Sequence, residues 1–324
     1  MNKKLSKRVL MVGFGTMGRI MLKKWLNYVE NVDVVDINHD PTEKISKRVQ
    51  FYSSLEKLNQ AISPSFFYDV VYICVPTDKH LQIIEELLIA EYPFKKILIE
   101  KPLTNDIHAL NKINNLVEKY SQVGIQVFVQ EQYYLSSALE ALEIICGTNE
   151  IIQMEIEMSK DRTLDEEKGR FKDTVLGTFG IEFPHMLAIL DKLNLLEQFE
   201  ITDVEYLEPD SFYSGVTVQG ESSGINIILK SHLDAKNIKR NVAITSATGE
   251  QWAAWFDPIP NFSRYYSSIC DQTEINYFFD DMLDQVVQRT LSGQLPTYFD
   301  VSHASKIVDK LFALKCHKGL MEKP

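Results

Sequence analysis

The sequence predicts an α/β fold: an N-terminal doubly wound parallel (Rossmann) sheet, followed by an α+β domain with an open, mostly antiparallel sheet. Two observations predict it. Over about the first 130 residues, short apolar runs alternate with stretches of helical spacing, the pattern of a parallel sheet with crossover helices. Beyond that point the strands become amphipathic with a period of two, and they gather in a run with helices on either side. The 324 residues suffice for two domains with real cores. We place the dinucleotide-binding domain at 1–128, and a substrate-binding and oligomerisation domain at 129–324.

The elements follow in order. Residues 8–13 (RVLMVG) form the first strand and 17–29 a helix. Residues 32–36 (VDVVD) form a second strand, and a helix covers 53–62 from a serine cap. The run 69–75 (DVVYICV) is nearly all apolar, as suits a strand buried on both faces. Helices at 78–90 and 106–120 and strands at 96–99 and 125–129 complete the first domain. In the second, strands are expected at 151–158, 201–206, 215–218, 224–231 and 241–246, and helices at 136–146, 178–193, 276–291 and 302–318. In the 151–158 strand Ile152, Met154 and Ile156 should share the apolar face, with Gln153, Glu155 and Glu157 opposite.

Composition narrows the function. The formal net charge of −11 argues against a nucleic-acid partner. No apolar run approaches the roughly 20 residues of a membrane span, so no membrane partner is expected. The basic start MNKKLSKRVLMVGFG breaks at Gly13 without a cleavage site, as a strand rather than a secretory signal would. Cys74, Cys146, Cys270 and Cys316 are scattered, with the spacing of neither a zinc site nor a disulfide framework. A cytoplasmic protein without a metal is the expectation.

Three stretches carry chemistry, all at carboxyl ends of strands. The first is Gly13-Phe-Gly15-Thr16-Met17-Gly18 between the first strand and first helix. Its glycines allow a tight turn and close approach of a pyrophosphate to the helix N-terminus. Asp36 lies 18 residues beyond Gly18, where a carboxylate takes a ribose hydroxyl. A carboxylate there repels a 2′-phosphate, so NAD is the expected cofactor. NADP is the alternative, because Lys44, Lys47 and Arg48 follow closely. The second stretch is Pro76-Thr77-Asp78-Lys79-His80, where Thr77 and His80 are candidate cofactor contacts and His80 is equally a helix-start cap. The third is Glu100-Lys101-Pro102, with an ammonium at the sheet edge where such folds bind ligands.

In order and interval, GFGTMG, VVDIN, CVPTDKH and EKP resemble the Gfo/Idh/MocA oxidoreductase family (glucose–fructose oxidoreductase, inositol dehydrogenase and relatives). The resemblance implies a nicotinamide-dependent dehydrogenase acting on a sugar, cyclitol or related polyol or ketone, and a homodimer or homotetramer. It also implies that Lys101 contacts the nicotinamide ribose and the reacting oxygen. The family expects an aspartate and a histidine four residues apart on a helix of the second domain. Here His185 is present, but Ile181 stands four residues before it, and the nearest acid is Glu182. Two alignments stay open: His185 as acid/base supported by Glu182, or Glu182 and Met186 in the two positions. The altered motif leaves a C=N or C=C reductase as an alternative, and a non-catalytic dinucleotide sensor as another. Arg162 and Arg170, in a cluster with Lys160, Lys168 and Lys172, are candidates for holding an anionic substrate. Asp161, Asp165, Glu166, Glu167 and Asp173 offset them as a solvated loop would.

Overall fold

The computed structural model describes residues 5–38, 45–63, 66–89, 93–165, 167–208, 212–256, 263–269, 272–278 and 280–317. Lys44, Glu166 and Cys270 lie outside the described residues. The chain divides into two compact units. Met1–Gln130 with Leu283–Ser305 forms one, and Glu131–Met282 with Lys306–Pro324 the other.

The first unit holds six strands: β1 (Val9–Val12), β2 (Val32–Val35), β3 (Val49–Tyr52), β4 (Tyr68–Ile73), β5 (Phe94–Glu100) and β6 (Gln126–Gln130). All are parallel, in the order β3-β2-β1-β4-β5-β6. The crossovers are α1 (Thr16–Tyr28), α2 (Leu55–Ala61), α3 (His80–Ile89, after a 3₁₀ turn at Thr77–Lys79) and α4 (Ile107–Gln122). Central strands are apolar throughout because helices cover both faces; Val71, Tyr72, Ile97 and Leu98 are fully buried. The strand order reverses between β1 and β4, which opens the binding crevice of such sheets at their carboxyl ends. Side chains fix the helix starts: Ser54 accepts the Lys57 N–H at 3.1 Å, and Asp106 accepts that of His108 at 2.8 Å. Strand β3 was not expected. It is a four-residue, half-exposed edge strand, so neither burial nor length marks it in the sequence.

The second unit contains α5 (Ser137–Thr148), β7 (Ile151–Ser159), α6 (Phe183–Lys192), β8 (Glu200–Tyr206), β9 (Gly215–Ser222), β10 (Ile225–His232), β11 (Lys239–Ser246), β12 (Gln251–Phe256), β13 (Ser263–Ile269) and β14 (Gln272–Phe278). They build one eight-stranded sheet, β14-β13-β12-β11-β7-β10-β9-β8, antiparallel except for the β7–β10 pair. Met154, Ile156, Ile227, Leu229, Val242 and Ile244 are buried along one face. Helix α6 packs on β7 and β10, and every one of its residues is buried. The opposite face carries ion pairs, Lys230–Glu155 at 2.8 Å and Lys239–Glu157 at 3.3 Å.

Three expectations change. Ile152 does not share the apolar face: Thr245 pairs with Gln153 and Ser246 with Ile151, so this bulge leaves Ile152 unopposed. Ile152 is 43% exposed, and Ile151 is buried in its place. Strands β12, β13 and β14 add to the expected set. The helix expected at 276–291 is α7 (Met282–Ser292), since β14 occupies its proposed start.

Leu283–Ser305 returns to the first unit. There Lys96 Nζ donates to the Thr290 carbonyl at 2.7 Å, Tyr28 donates to the Asp284 carboxylate, and Phe128 bridges Asp300. The last helix, α8 (Val301–Cys316), begins there and ends in the second unit. No described helix is long and apolar enough to cross a membrane.

Candidate functional site

The glycine turn joins β1 to α1 at the sheet's carboxyl edge. Gly13 has a φ of 103°, and a Cβ there would stand 2.6 Å from the Cys74 carbonyl oxygen, so only glycine fits. A Cβ on Gly18 would meet the Gly13 carbonyl at 2.7 Å, which fixes how closely α1 approaches the turn. At Gly15 a Cβ would meet nothing within 4 Å. Gly15 is also the α1 N-cap, and its helix has no side-chain cap. The first-turn N–H groups of Thr16, Met17 and Gly18 therefore lack an intrahelical acceptor, in front of an open surface. These are the elements a pyrophosphate needs, and the turn fits a dinucleotide.

Asp36 follows β2 and is half-buried. The Phe14 N–H donates to its Oδ2 at 2.6 Å and the Asn38 N–H to its Oδ1 at 2.8 Å. The carboxylate is thereby fixed next to the glycine turn with lone pairs left for ribose hydroxyls. Arg48, a candidate for a 2′-phosphate, is engaged elsewhere. Its guanidinium donates to the carbonyls of Leu26 (2.8 Å), Glu30 (2.7 Å) and Val29 at the end of α1. Lys47 is exposed.

His80 is buried, with Nδ1 3.0 Å from the Leu103 carbonyl and Nε2 3.2 Å from that of Val75. It ties the loop after β4 to the loop after β5, and so braces the Lys101 loop rather than reaching a ligand. Burial pushes its pKa below the ordinary histidine value, against the pull of those carbonyls. Glu100 is also buried and accepts the Tyr72 hydroxyl beneath the edge. Lys101 follows at the strand end, half-buried, with a cis peptide to Pro102. Pro76 and Thr77 stand at the neighbouring strand end, Pro76 exposed and Thr77 half-buried.

In the second unit the histidine finds its acid, but a different one from the residue expected. His185 Nδ1 lies 2.7 Å from Glu131 Oε2, with both groups buried. Glu182 instead holds Arg162 at 2.8 Å. The reason is local. Glu182 is the N-cap of α6, and Pro184 occupies the first turn where proline is tolerated. The i,i+3 relation of Glu182 and His185 holds in the backbone, where the Glu182 carbonyl accepts the His185 N–H at 3.1 Å, but the Glu182 carboxylate is drawn to Arg162. Glu131 was missed; its signal was an acid directly after the last strand of the parallel sheet, the same kind of position as Lys101. Its Oε1 accepts the Tyr133 N–H at 3.2 Å, fixing the carboxylate. The Tyr133 ring packs edge-on against both His185 and Phe256, with centroids 4.9 Å apart in each pair.

Arg162 and Arg170 both pair with Asp165, at 3.3 and 2.8 Å. Arg240 of β11 lies close enough to Tyr133, Glu182 and Glu131 to feel their charges, which hold its pKa above the ordinary value. Among the described residues no group of three or more His, Cys, Asp and Glu side chains could hold a metal ion.

Residues 7–129 match the model of the oxidoreductase family with an NAD-binding Rossmann fold, Gfo/Idh/MocA. No curated protein matches the chain. Among solved structures, UDP-N-acetylglucosamine 3-dehydrogenase from Acidithiobacillus ferrooxidans is similar at 17% identity, with a TM-score of 0.69 and 96% of this chain and 97% of that one covered. A 3-ketoreductase from Actinomadura kijaniata, in complex with NADP and TDP-benzene, is 13% identical, with a TM-score of 0.75 and coverage of 95% and 97%. A dehydrogenase from Clostridium difficile is 13% identical, with a TM-score of 0.67 and coverage of 95% and 99%. At these identities the likeness is one of fold. Residues 7–129 thus match the Gfo/Idh/MocA oxidoreductases and carry the NAD-binding Rossmann fold.

Proposed function

We propose that the protein is an NAD(P)-dependent oxidoreductase that interconverts a carbinol and a carbonyl on a sugar, cyclitol or related polyol, with NAD preferred. The observation that carries this reading is the buried His185–Glu131 pair at 2.7 Å. A carboxylate at Nδ1 holds the ring as the Nδ1–H tautomer and places the lone pair, or in the imidazolium the proton, on Nε2. That is the state a general acid/base needs near neutrality. The activity of one similar protein, the UDP-N-acetylglucosamine 3-dehydrogenase, supports the substrate class, and that of another, a 3-ketoreductase, supports the carbonyl chemistry.

The glycine turn and Asp36 bind and orient the cofactor, which when bound supplies or accepts the hydride. In the reductive direction the carbonyl oxygen gains an electron pair as its carbon takes the hydride. Lys101 stabilises that alkoxide, and His185 delivers the proton from Nε2. Oxidation runs the same steps backward, with neutral His185 taking the hydroxyl proton. The retained Lys101 distinguishes this reading from a dinucleotide sensor, which needs no ammonium at the reacting carbon.

The test is a nicotinamide fluorescence titration with NADH and NADPH, then an absorbance screen of polyols and ketoses. Lys101→Ala should retain cofactor binding within a few-fold and lose at least about a hundredfold in kcat, as expected when an electrostatic stabiliser is removed. Failure to bind either cofactor would overturn the reading.

A further inference from the structure

Three buried donors of the second unit have no acceptor among the described residues: the Ser231 hydroxyl and the Nε–H groups of Arg162 and Arg240. Buried hydrogen-bonding groups are almost always satisfied, so three together need an explanation. The strand register groups two of them, Arg240 and Ser231. Arg240 pairs directly with Met158. Leu229 pairs with Ile156 on the helix-covered face, so by alternation Ser231, fully buried, falls beside Met158 on that same face. Arg240 and Ser231 thus flank Met158 across neighbouring strands.

Lys160 follows directly after β7, its N–H bonded to the His232 carbonyl at 2.9 Å. Its ammonium makes no hydrogen bond or ion pair among the described residues, although it is close enough to Arg162, Arg240, Arg170 and Glu182 to feel their charges. Charges do not balance here. Lys160, Arg162, Arg170 and Arg240 face three carboxylates, Glu182, Asp165 and Glu131, the last already bonded to His185.

We propose that this end of the sheet is an oxyanion subsite, in which Lys160, Arg240 and Ser231 hold a carboxylate or phosphate carried by the substrate. The proposal rests on the oxidoreductase reading and names the class of substrate within it. An oxyanion offers acceptor lone pairs on several oxygens at once, which fits these donors better than a neutral hydroxyl, whose single oxygen accepts at most two hydrogen bonds. Burial and the neighbouring arginines lower the Lys160 pKa, a cost that a bound anion offsets.

The test uses the full chain and two probes, inorganic phosphate and acetate, each compared with sodium chloride at matched ionic strength. The readout is the thermal unfolding midpoint as a function of probe concentration, with NADH binding followed separately by fluorescence. A saturable rise with phosphate or with acetate, beyond that with chloride, supports the subsite and identifies which oxyanion it takes. Lys160→Gln should then weaken the apparent Kd about tenfold, the loss of one charge-assisted hydrogen bond. Ser231→Ala should also weaken it, while leaving the midpoint without probe unchanged or raised, because its hydroxyl has no partner to lose. No rise above chloride, or equal rises in wild type and Lys160→Gln, overturns the subsite. NADH binding without any oxyanion effect sinks this inference alone, whereas absent NADH binding sinks the oxidoreductase reading.

Discussion

Replacing Glu131 by Gln tests the proton-handling pair, and its outcome can be worked out atom by atom. One carboxylate oxygen accepts the Tyr133 N–H at 3.2 Å and the other faces His185 Nδ1 at 2.7 Å. A glutamine has one oxygen and one amino group to fill both places. If its oxygen keeps the Tyr133 N–H, its amino group must face Nδ1, which then becomes an acceptor. The ring changes tautomer, and the proton moves to Nε2. Neutral His185 can then no longer accept a proton from a substrate hydroxyl. Loss of a charged hydrogen bond of roughly 1.5–3 kcal/mol corresponds to about a 10- to 150-fold fall in kcat for alcohol oxidation. NADH affinity should not change, because the cofactor turn is untouched. Long-range proton–nitrogen NMR correlations of the imidazole report the tautomer directly and need no substrate. A variant with the wild-type tautomer, wild-type kcat and an unaltered pH–rate profile would refute the assignment of Glu131 as a positioning residue.

Glycine substitutions should separate folding from binding. Gly18→Ala drives a methyl toward the Gly13 carbonyl at 2.7 Å and should cost about 1–3 kcal/mol in denaturant unfolding. Gly15→Ala meets nothing within 4 Å, so stability should stay within about 0.5 kcal/mol while NADH affinity falls at least about tenfold; equal affinity would show that no phosphate sits there. Asp36→Asn removes the charge that opposes a 2′-phosphate, and should narrow the preference for NADH over NADPH by about tenfold in a fluorescence titration. An unchanged ratio would mean that Asp36 does not face the ribose. His80 should make the protein acid-sensitive. Its folded pKa lies below the unfolded value of about 6.5, so in the interval between them the unfolded chain binds the extra proton. Its contribution is complete above about pH 6.5 and declines as pH falls toward the folded value. Urea midpoints measured across that interval should drop less in His80→Gln than in wild type, and parallel curves would rule out His80 as a source of the sensitivity.

The first unit was legible because its signals are local. Buried parallel strands are short apolar runs, their ends are marked by Gly13, Pro76 and Pro102, and Ser54 and Asp106 announce helices at their own positions. What was not legible depends on pairing. The half-exposed β3 has no pattern of its own, and Ile152 looks like a core residue until the bulge opposite it is known. The site behaves the same way. The strand-end places of Asp36 and Lys101 could be read from the sequence, but the partner of His185 lies 54 residues away. Spacing within one helix suggested Glu182, whereas the tertiary fold gives that residue to Arg162.

The path of the chain also governs how the protein can be made. The backbone crosses between the two units three times, after Gln130, after Met282 and after Ser305. On the ribosome the parallel sheet emerges first, but its own complement of contacts waits for Thr290, Asp284 and Asp300, with the whole second unit synthesised in between. A fragment cut at residue 130 would thus lack the segment that receives Lys96 and Tyr28, however complete its six strands. Expression of the dinucleotide unit on its own calls for a linker that replaces residues 131–282 and retains Leu283–Ser305.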